Sequence, residues 1–253
     1  MILSRHGFGR VLILVLFGLL PQIGSGQTSV DGIERIRQSL MLLLPNVEPT
    51  SITETPMANI YEVVIGSRLV YISGDGRFLI EGEVIDLEQQ QNLTTPRLRE
   101  VTLSAIERVG EANMLIFEPA EKVKHTLTVF TDIDSAYSRK LQREIETYTH
   151  RGIRIRYLFF PRAGVDSPSY MKAVTVWCSV DRQKALKQAM SGEAKEMRDC
   201  ENPVSNHFQL GTMLGVSGAP VLVLENGEML PGYVDAEKLY EIMSKMKPFF
   251  EKQ

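Results

Sequence analysis

Apolar residues recur at helical spacing early in the chain: Ile33, Ile36, Leu40, Leu43 and Leu44 fall on one face between Val30 and Leu44, and Pro45 ends the run. Asp31 and Glu34 are expected in the first turn of this helix, where carboxylates suit the positive end of the helix dipole. The period then shortens. Residues 60–65, 69–72, 78–80 and 83–87 are brief β-rich runs, and Ser73-Gly74-Asp75-Gly76 has the composition of a turn. Thr94-Thr95-Pro96 predicts a helix start, with a threonine N-cap and proline in the first turn. Leu98, Val101, Leu103, Ala105, Ile106 and Val109 continue that helix until Gly110 closes it.

The second half has a different rhythm. Residues 126–130 predict a strand, and 135–149 a helix with Tyr137, Leu141, Ile145 and Tyr148 on one stripe. Residues 153–160 predict another strand, in which the alternation of Arg154, Ile155 and Arg156 suggests one solvated face. A helical stretch covers about 167–214. A strand at 220–224, a turn at Asn226-Gly227, a strand at 228–230 and a helix at 236–246 follow. The order β-α-β, helices, β-β-α is that of a thioredoxin fold. The expected class is α+β, with a small N-terminal domain at 27–95, a linker helix and connection at 96–120, and a thioredoxin-like domain with a helical insertion at 121–253. A unit under 70 residues buries little core alone and leaves strand edges exposed, so dimerisation through 27–95 is expected.

The N-terminus adds a location. Arg5, His6 and Arg10 precede an apolar run at 11–20, Pro21 breaks it, and Gly24-Ser25-Gly26 supplies small residues for cleavage after Gly26. This is the layout of a secretory signal peptide at 1–26. The run is about half the roughly 20 residues that a membrane span needs. In an oxidising compartment the default reading of Cys178 and Cys200 is a disulfide, with two buried free thiols or half of a metal site as rivals. His6, His125, His150 and His207 have no ligand spacing to either cysteine, so no metal is expected. The formal charge of −3 becomes −5 when Arg5 and Arg10 leave with the signal peptide, and no basic run is present. Nucleic acid is therefore excluded as a partner. Nothing in the sequence calls for a cofactor.

The chemistry concentrates at 129–138. A strand runs through Asp132 into a helix that begins with Ser135-Ala136-Tyr137-Ser138. That layout belongs to a redox helix, in which Cys-x-x-Cys would stand at 135–138. A cysteine at a helix N-terminus has its thiolate stabilised by unpaired N–H groups and the dipole, and a second cysteine one turn on resolves a mixed disulfide. Serine offers neither step, because its hydroxyl does not ionise near neutral pH and forms no disulfide. A serine hydrolase would need an adjacent base and an oxyanion hole, and no Gly-x-Ser-x-Gly elbow surrounds Ser135. Its simpler role is a helix cap.

Several segments together resemble a known family: 129–133 before the helix, Tyr157 to Arg162, Trp177-Cys178, Leu214 to Pro220, Asn226-Gly227 and Pro231-Gly232-Tyr233, with Gly74 to Gly82 like a dimerisation hairpin. They are similar to the periplasmic protein disulfide isomerases of the DsbC/DsbG type. The resemblance implies a homodimer joined through its N-terminal domains, misfolded exported proteins as substrates, and an inner-membrane thiol reductant of the DsbD type for an active form. It implies a structural Cys178–Cys200 disulfide and a cis-proline at Pro220. It places substrate contacts at Ala136, Tyr137, Ser217, Gly218 and Ala219, where Ala219 replaces an expected threonine. Ser135 and Ser138 then occupy the positions of the redox cysteines. Two explanations follow: an altered form of an active isomerase that binds substrate without exchange, or a natural redox-inactive chaperone of the same fold. The single-atom nature of both changes, in an otherwise intact frame, favours the first.

Overall fold

The computed structural model describes residues 26–193 and 196–246. The expected signal peptide lies outside these residues except for Gly26. Among the described residues no helix is long and apolar enough to cross a membrane.

The N-terminal unit is one helix on a four-stranded antiparallel sheet. Helix α1 (Gly26–Leu43) extends further towards the N-terminus than the pattern indicates, so Asp31 and Glu34 lie beyond its first turn and the expected dipole pairing is absent. Strands β1 (Ser51–Glu54), β2 (Ile60–Ile65), β3 (Arg68–Ser73) and β4 (Leu79–Ile80) lie in sequence order. The pattern gave no sign of β1, because Ser-Ile-Thr-Glu carries a single apolar residue. Its register against β2 sets Ile52 opposite Val63. Ile36 and Leu40 of α1 pack on Tyr61, Val63, Val70 and Ile72. A second sheet, the two-residue pair β5 (Ile85–Asp86) and β6 (Gln91–Asn92), follows.

Helix α2 (Thr94–Val109) joins the two units. The expected threonine cap is not made: Leu93 is the N-cap residue and has no side-chain bond. The Thr94 hydroxyl instead meets Tyr71 OH at 2.5 Å and accepts the Val84 N–H at 2.8 Å. Asn92 Oδ1 takes over the capping task by accepting the Thr95 N–H. Arg97 reaches Glu62 of β2 at 2.9 Å. Further along α2, Ala105 and Ile106 join a core with Phe130, Leu158, Phe160, Leu210, Val221 and Val223 of the second unit. Arg99 pairs with Glu228 at 2.8 Å. A side chain at Gly227 (φ +81°) would sit 2.4 Å from the Arg99 carbonyl, so the glycine lets the turn close onto the helix. The helix is thus docked on both units.

The second unit contains a five-stranded sheet in the order β11-β10-β8-β9-β7. Strands β8 (His125–Thr131) and β9 (Ile153–Phe159) are parallel, and the other pairings are antiparallel. Edge strand β7 (Leu115–Phe117) was not apparent in the sequence. The expected helix at 135–149 is present as α3 (Ala136–Arg143) and α4 (Ile145–His150), interrupted at Glu144. Leu141, Ile145 and Tyr148 are buried as expected, but Tyr137 is 64% exposed. The buried stripe instead begins at Ser138, because the first turn projects beyond the sheet.

The Arg154–Arg156 stretch is also corrected. Arg156 is buried, donates to Thr128 Oγ1 and pairs with Glu107 and Glu111, while Arg154 pairs with Glu111 and Glu118. Acceptors from α2 and the following turn cover the face that was expected to meet water.

Helices α5 (Pro168–Trp177), α6 (Arg182–Ser191) and α7 (Val204–Met213) form the insertion. Strands β10 (Val221–Val223) and β11 (Met229–Pro231) and helix α8 (Ala236–Lys245) complete the unit. Cys178 and Cys200 are bonded to each other, which rules out both rival readings. The bond closes a loop of 22 residues. Replacing both cysteines with alanine is expected to cost about 3 kcal/mol in the chain-entropy model, seen as a lower thermal midpoint with unchanged secondary structure.

His207 of α7 is fully buried. Its Nδ1 accepts the Phe159 N–H at 3.2 Å, and its ring lies between Phe159 and Trp177. Burial lowers its pKa to about 4. As pH falls from about 6.5 towards 4, the unfolded chain takes up a proton that the folded chain refuses, so stability is lost across that window by about 3 kcal/mol. Urea midpoints measured from pH 7 to 4 should fall accordingly, and His207→Leu should flatten the slope.

Candidate active site

The carboxyl ends of β8 and β9 converge with the loop that precedes β10. Ser135 is the N-cap of α3, with extended backbone, and its Oγ accepts the Ser138 N–H at 3.3 Å. The same hydroxyl donates to the Ala219 carbonyl at 2.6 Å. The Ala219–Pro220 peptide is cis. Ser138 Oγ accepts the Asp132 N–H at 3.4 Å. The two serines are 2% and 1% exposed, and the Ser135 hydroxyl both donates and accepts while that of Ser138 only accepts. The cap satisfies one of the orphan N–H groups of α3, and the remaining donors and the dipole favour negative charge at this point.

Two ion networks hold the loop between β8 and α3. Asp132, almost fully buried, accepts the Arg162 N–H at 3.1 Å and its Nε at 2.9 Å through one oxygen, and the Asp134 N–H through the other. Asp134 in turn pairs with Arg139 at 2.8 Å and Lys172 at 2.7 Å, and Arg139 Nε donates to the Ile133 carbonyl. Three cations therefore stand on two carboxylates around the start of α3. The sequence reading did not single out Asp132, Asp134, Arg139, Arg162 or Lys172. The available signal was positional: Asp132 and Arg162 follow the ends of two neighbouring parallel strands, where α/β sheets gather their functional groups.

The expected contact residues fall into one region. Ala136 and Tyr137 are exposed on the first turn of α3. Ser217 is exposed, Gly218 and Ala219 are half-buried, and Pro220 is buried. A side chain added at Gly218 would meet nothing within 4 Å. The Val216 N–H donates to the Gly211 carbonyl and the Gly232 N–H to the Pro220 carbonyl, and the chain bends at Gly218 and Ala219 between them.

Among the described residues no histidine bonds to either serine. The Ser135 proton goes to a backbone carbonyl, and the two ring nitrogens of His125 are engaged by Glu225 and Ser244. Chemically the site is therefore a helix-terminal pocket suited to a thiolate, occupied by hydroxyls.

The family described as "Thioredoxin-like domain" matches residues 116–247, and "Disulfide bond isomerase protein N-terminal domain" matches 27–95. The thiol:disulfide interchange protein DsbC of Salmonella typhimurium is 36% identical over 87% of this chain and 90% of its own length. DsbC of Escherichia coli K12 is 34% identical over 91% of this chain and 94% of its own. The solved disulfide interchange protein from Neisseria gonorrhoeae has a TM-score of 0.48 at 30% identity, over 54% of this chain and 96% of that one. This chain belongs to the DsbC family of thiol:disulfide interchange proteins.

Proposed function

We propose that this protein is a periplasmic member of that family which binds misfolded exported polypeptides and, as it stands, performs no thiol–disulfide exchange. The observation that carries the reading is the placement of serine hydroxyls at the cap and one turn into α3, against the Ala219–Pro220 loop, where the family's chemistry requires sulfur. In this reading Ser135 and Ser138 hold the redox positions, Pro220 shapes the loop, and Ala136, Tyr137, Ser217, Gly218 and Ala219 meet substrate. Residues 1–26 direct export, 27–95 dimerise, 96–120 connect, and 121–253 carry the site. The form with cysteines at 135 and 138 would be a disulfide isomerase, and a DsbD-type reductant would serve that form only.

Dimerisation is supported by the surface of the N-terminal unit. Phe78, Leu79 and Ile80 are exposed at β4, whose outer edge is unpaired among the described residues, and Met41, Leu42 and Leu43 are exposed at the end of α1. An apolar edge strand of this kind needs a partner.

A second reading, a natural redox-inactive chaperone, is favoured by one observation: the Ser135 hydroxyl both donates and accepts a hydrogen bond within the protein, as in a site suited to oxygen. Both readings expect the unaltered chain to suppress aggregation of a reduced, unfolded protein without accelerating insulin reduction by dithiothreitol. Acceleration above the blank, or no suppression of aggregation, would overturn the proposal.

A further inference from the structure

His125, Glu225 and Ser244 come together at the end of the sheet opposite the active-site loop. His125 opens β8, Glu225 follows β10, and Ser244 lies in the last turn of α8. The seven residues of β8, about 23 Å of strand, separate His125 from the start of the Ser135 loop. His125 Nδ1 is 2.8 Å from Glu225 Oε1, and His125 Nε2 is 3.3 Å from Ser244 Oγ. A carboxylate only accepts, so the imidazole proton belongs on Nδ1, and the Nε2 lone pair faces the serine hydroxyl. The second Glu225 oxygen accepts the Thr126 N–H at 3.3 Å, which fixes the carboxylate, and the His125 ring rests edge-on against Tyr240. The orientation of every member is that of a carboxylate–histidine–serine relay, and such relays are recognised by geometry and roles and not by chain order.

We propose that Ser244 is an activated nucleophile and that this site transfers acyl groups from small activated carboxylic esters to water. Ser244 Oγ bonds to the ester carbonyl carbon while its proton passes to His125 Nε2. The carbon–oxygen bond to the leaving group breaks, and that oxygen takes the proton from His125. Water then adds to the acyl-serine with His125 as base, the carboxylic acid leaves, and the Ser244 hydroxyl is restored. Glu225 acts as a positioning residue that holds the histidine tautomer. The Lys124 ammonium lies 5.5 Å over the same Tyr240 ring. Among the described residues no paired donors form a preorganised oxyanion hole beside Ser244, so the site suits substrates with good leaving groups. Ser244 is exposed and stands on an open surface, which suits compact acyl groups.

The full-length protein treated with a fluorophosphonate should acquire one phosphonyl adduct, located at Ser244 by peptide mass spectrometry. The native chain should also hydrolyse p-nitrophenyl acetate. Ser244→Ala should abolish both signals, and His125→Gln should slow them on the order of 100-fold, the usual weight of a general base. Because the Ser244 side chain is exposed, Ser244→Ala keeps the fold and remains informative even if His125→Gln is destabilised. Absence of an adduct, an adduct elsewhere, labelling that survives in urea, or equal rates in folded His125→Gln would each overturn the proposal. None of these outcomes depends on the Ser135 site.

Discussion

Replacing Ser135 and Ser138 together with cysteine is expected to convert a chain inert in insulin reduction into an active one, with a rate on the order of 100-fold or more above the unaltered protein. The physical reason is that thiol–disulfide exchange requires a thiolate. Position 135 supplies the cap geometry and the positive end of the helix dipole, which stabilise an anion. The two single variants should separate the two steps. Ser135→Cys places the nucleophile without its resolving partner, so it should accumulate mixed disulfides with substrate. Ser138→Cys alone should remain inactive, because position 138 lies inside α3, past the cap position where the unpaired N–H groups favour a thiolate. A double variant that stays inert while the parent suppresses aggregation would favour the natural-chaperone reading. Ala219 precedes the proline where a threonine was expected from the family, so the restored pair need not share its relatives' redox potential.

The second large effect concerns assembly. Leu79 and Ile80 are about half exposed and form the outer strand of the first sheet. Leu79→Asp with Ile80→Asp places charge on a surface that a partner copy would bury, while replacing no member of the N-terminal core. Sedimentation equilibrium should report a dimer for the parent and a monomer for the variant, with the circular dichroism spectrum unchanged. Aggregation suppression should fall in parallel, because the proposed homodimer offers two contact loops to one polypeptide and the monomer only one. A parent that is monomeric at micromolar concentration would remove the dimer from the account.

Much of this architecture was legible in the sequence, and the parts that were not share a cause. Long, strongly patterned elements such as β2, β8, β9 and α8 fell where periodicity placed them, since their apolar residues face a core on at least one side. The strands that escaped notice, β1, β6 and β7, are edge strands of four, two and three residues, which are too short for a period to register. Tertiary context overrode local preference at Thr94, where a hydroxyl suited to capping found Tyr71 and Val84 instead. At Arg156 a residue expected in water was buried by acceptors from α2 and the turn after it, which no spacing rule on β9 could reveal. Within the candidate site, the serines, the proline and the flanking loop were named from sequence. The Asp132–Arg162 and Asp134–Lys172 pairs were not, because their partners are 30 and 38 residues apart and meet only through the parallel strand crossing and the insertion.

The account stands on residue 135 occupying a thiolate-stabilising position, and the pH dependence of alkylation tests it most directly. Ser135→Cys would carry the one free thiol of the chain, since both native cysteines are bonded to each other. Its iodoacetamide reaction rate should rise through an inflection well below the ordinary cysteine value of about 8.5, and the inflection should return to that value in urea. An inflection at or above the ordinary value in the folded protein would contradict the account.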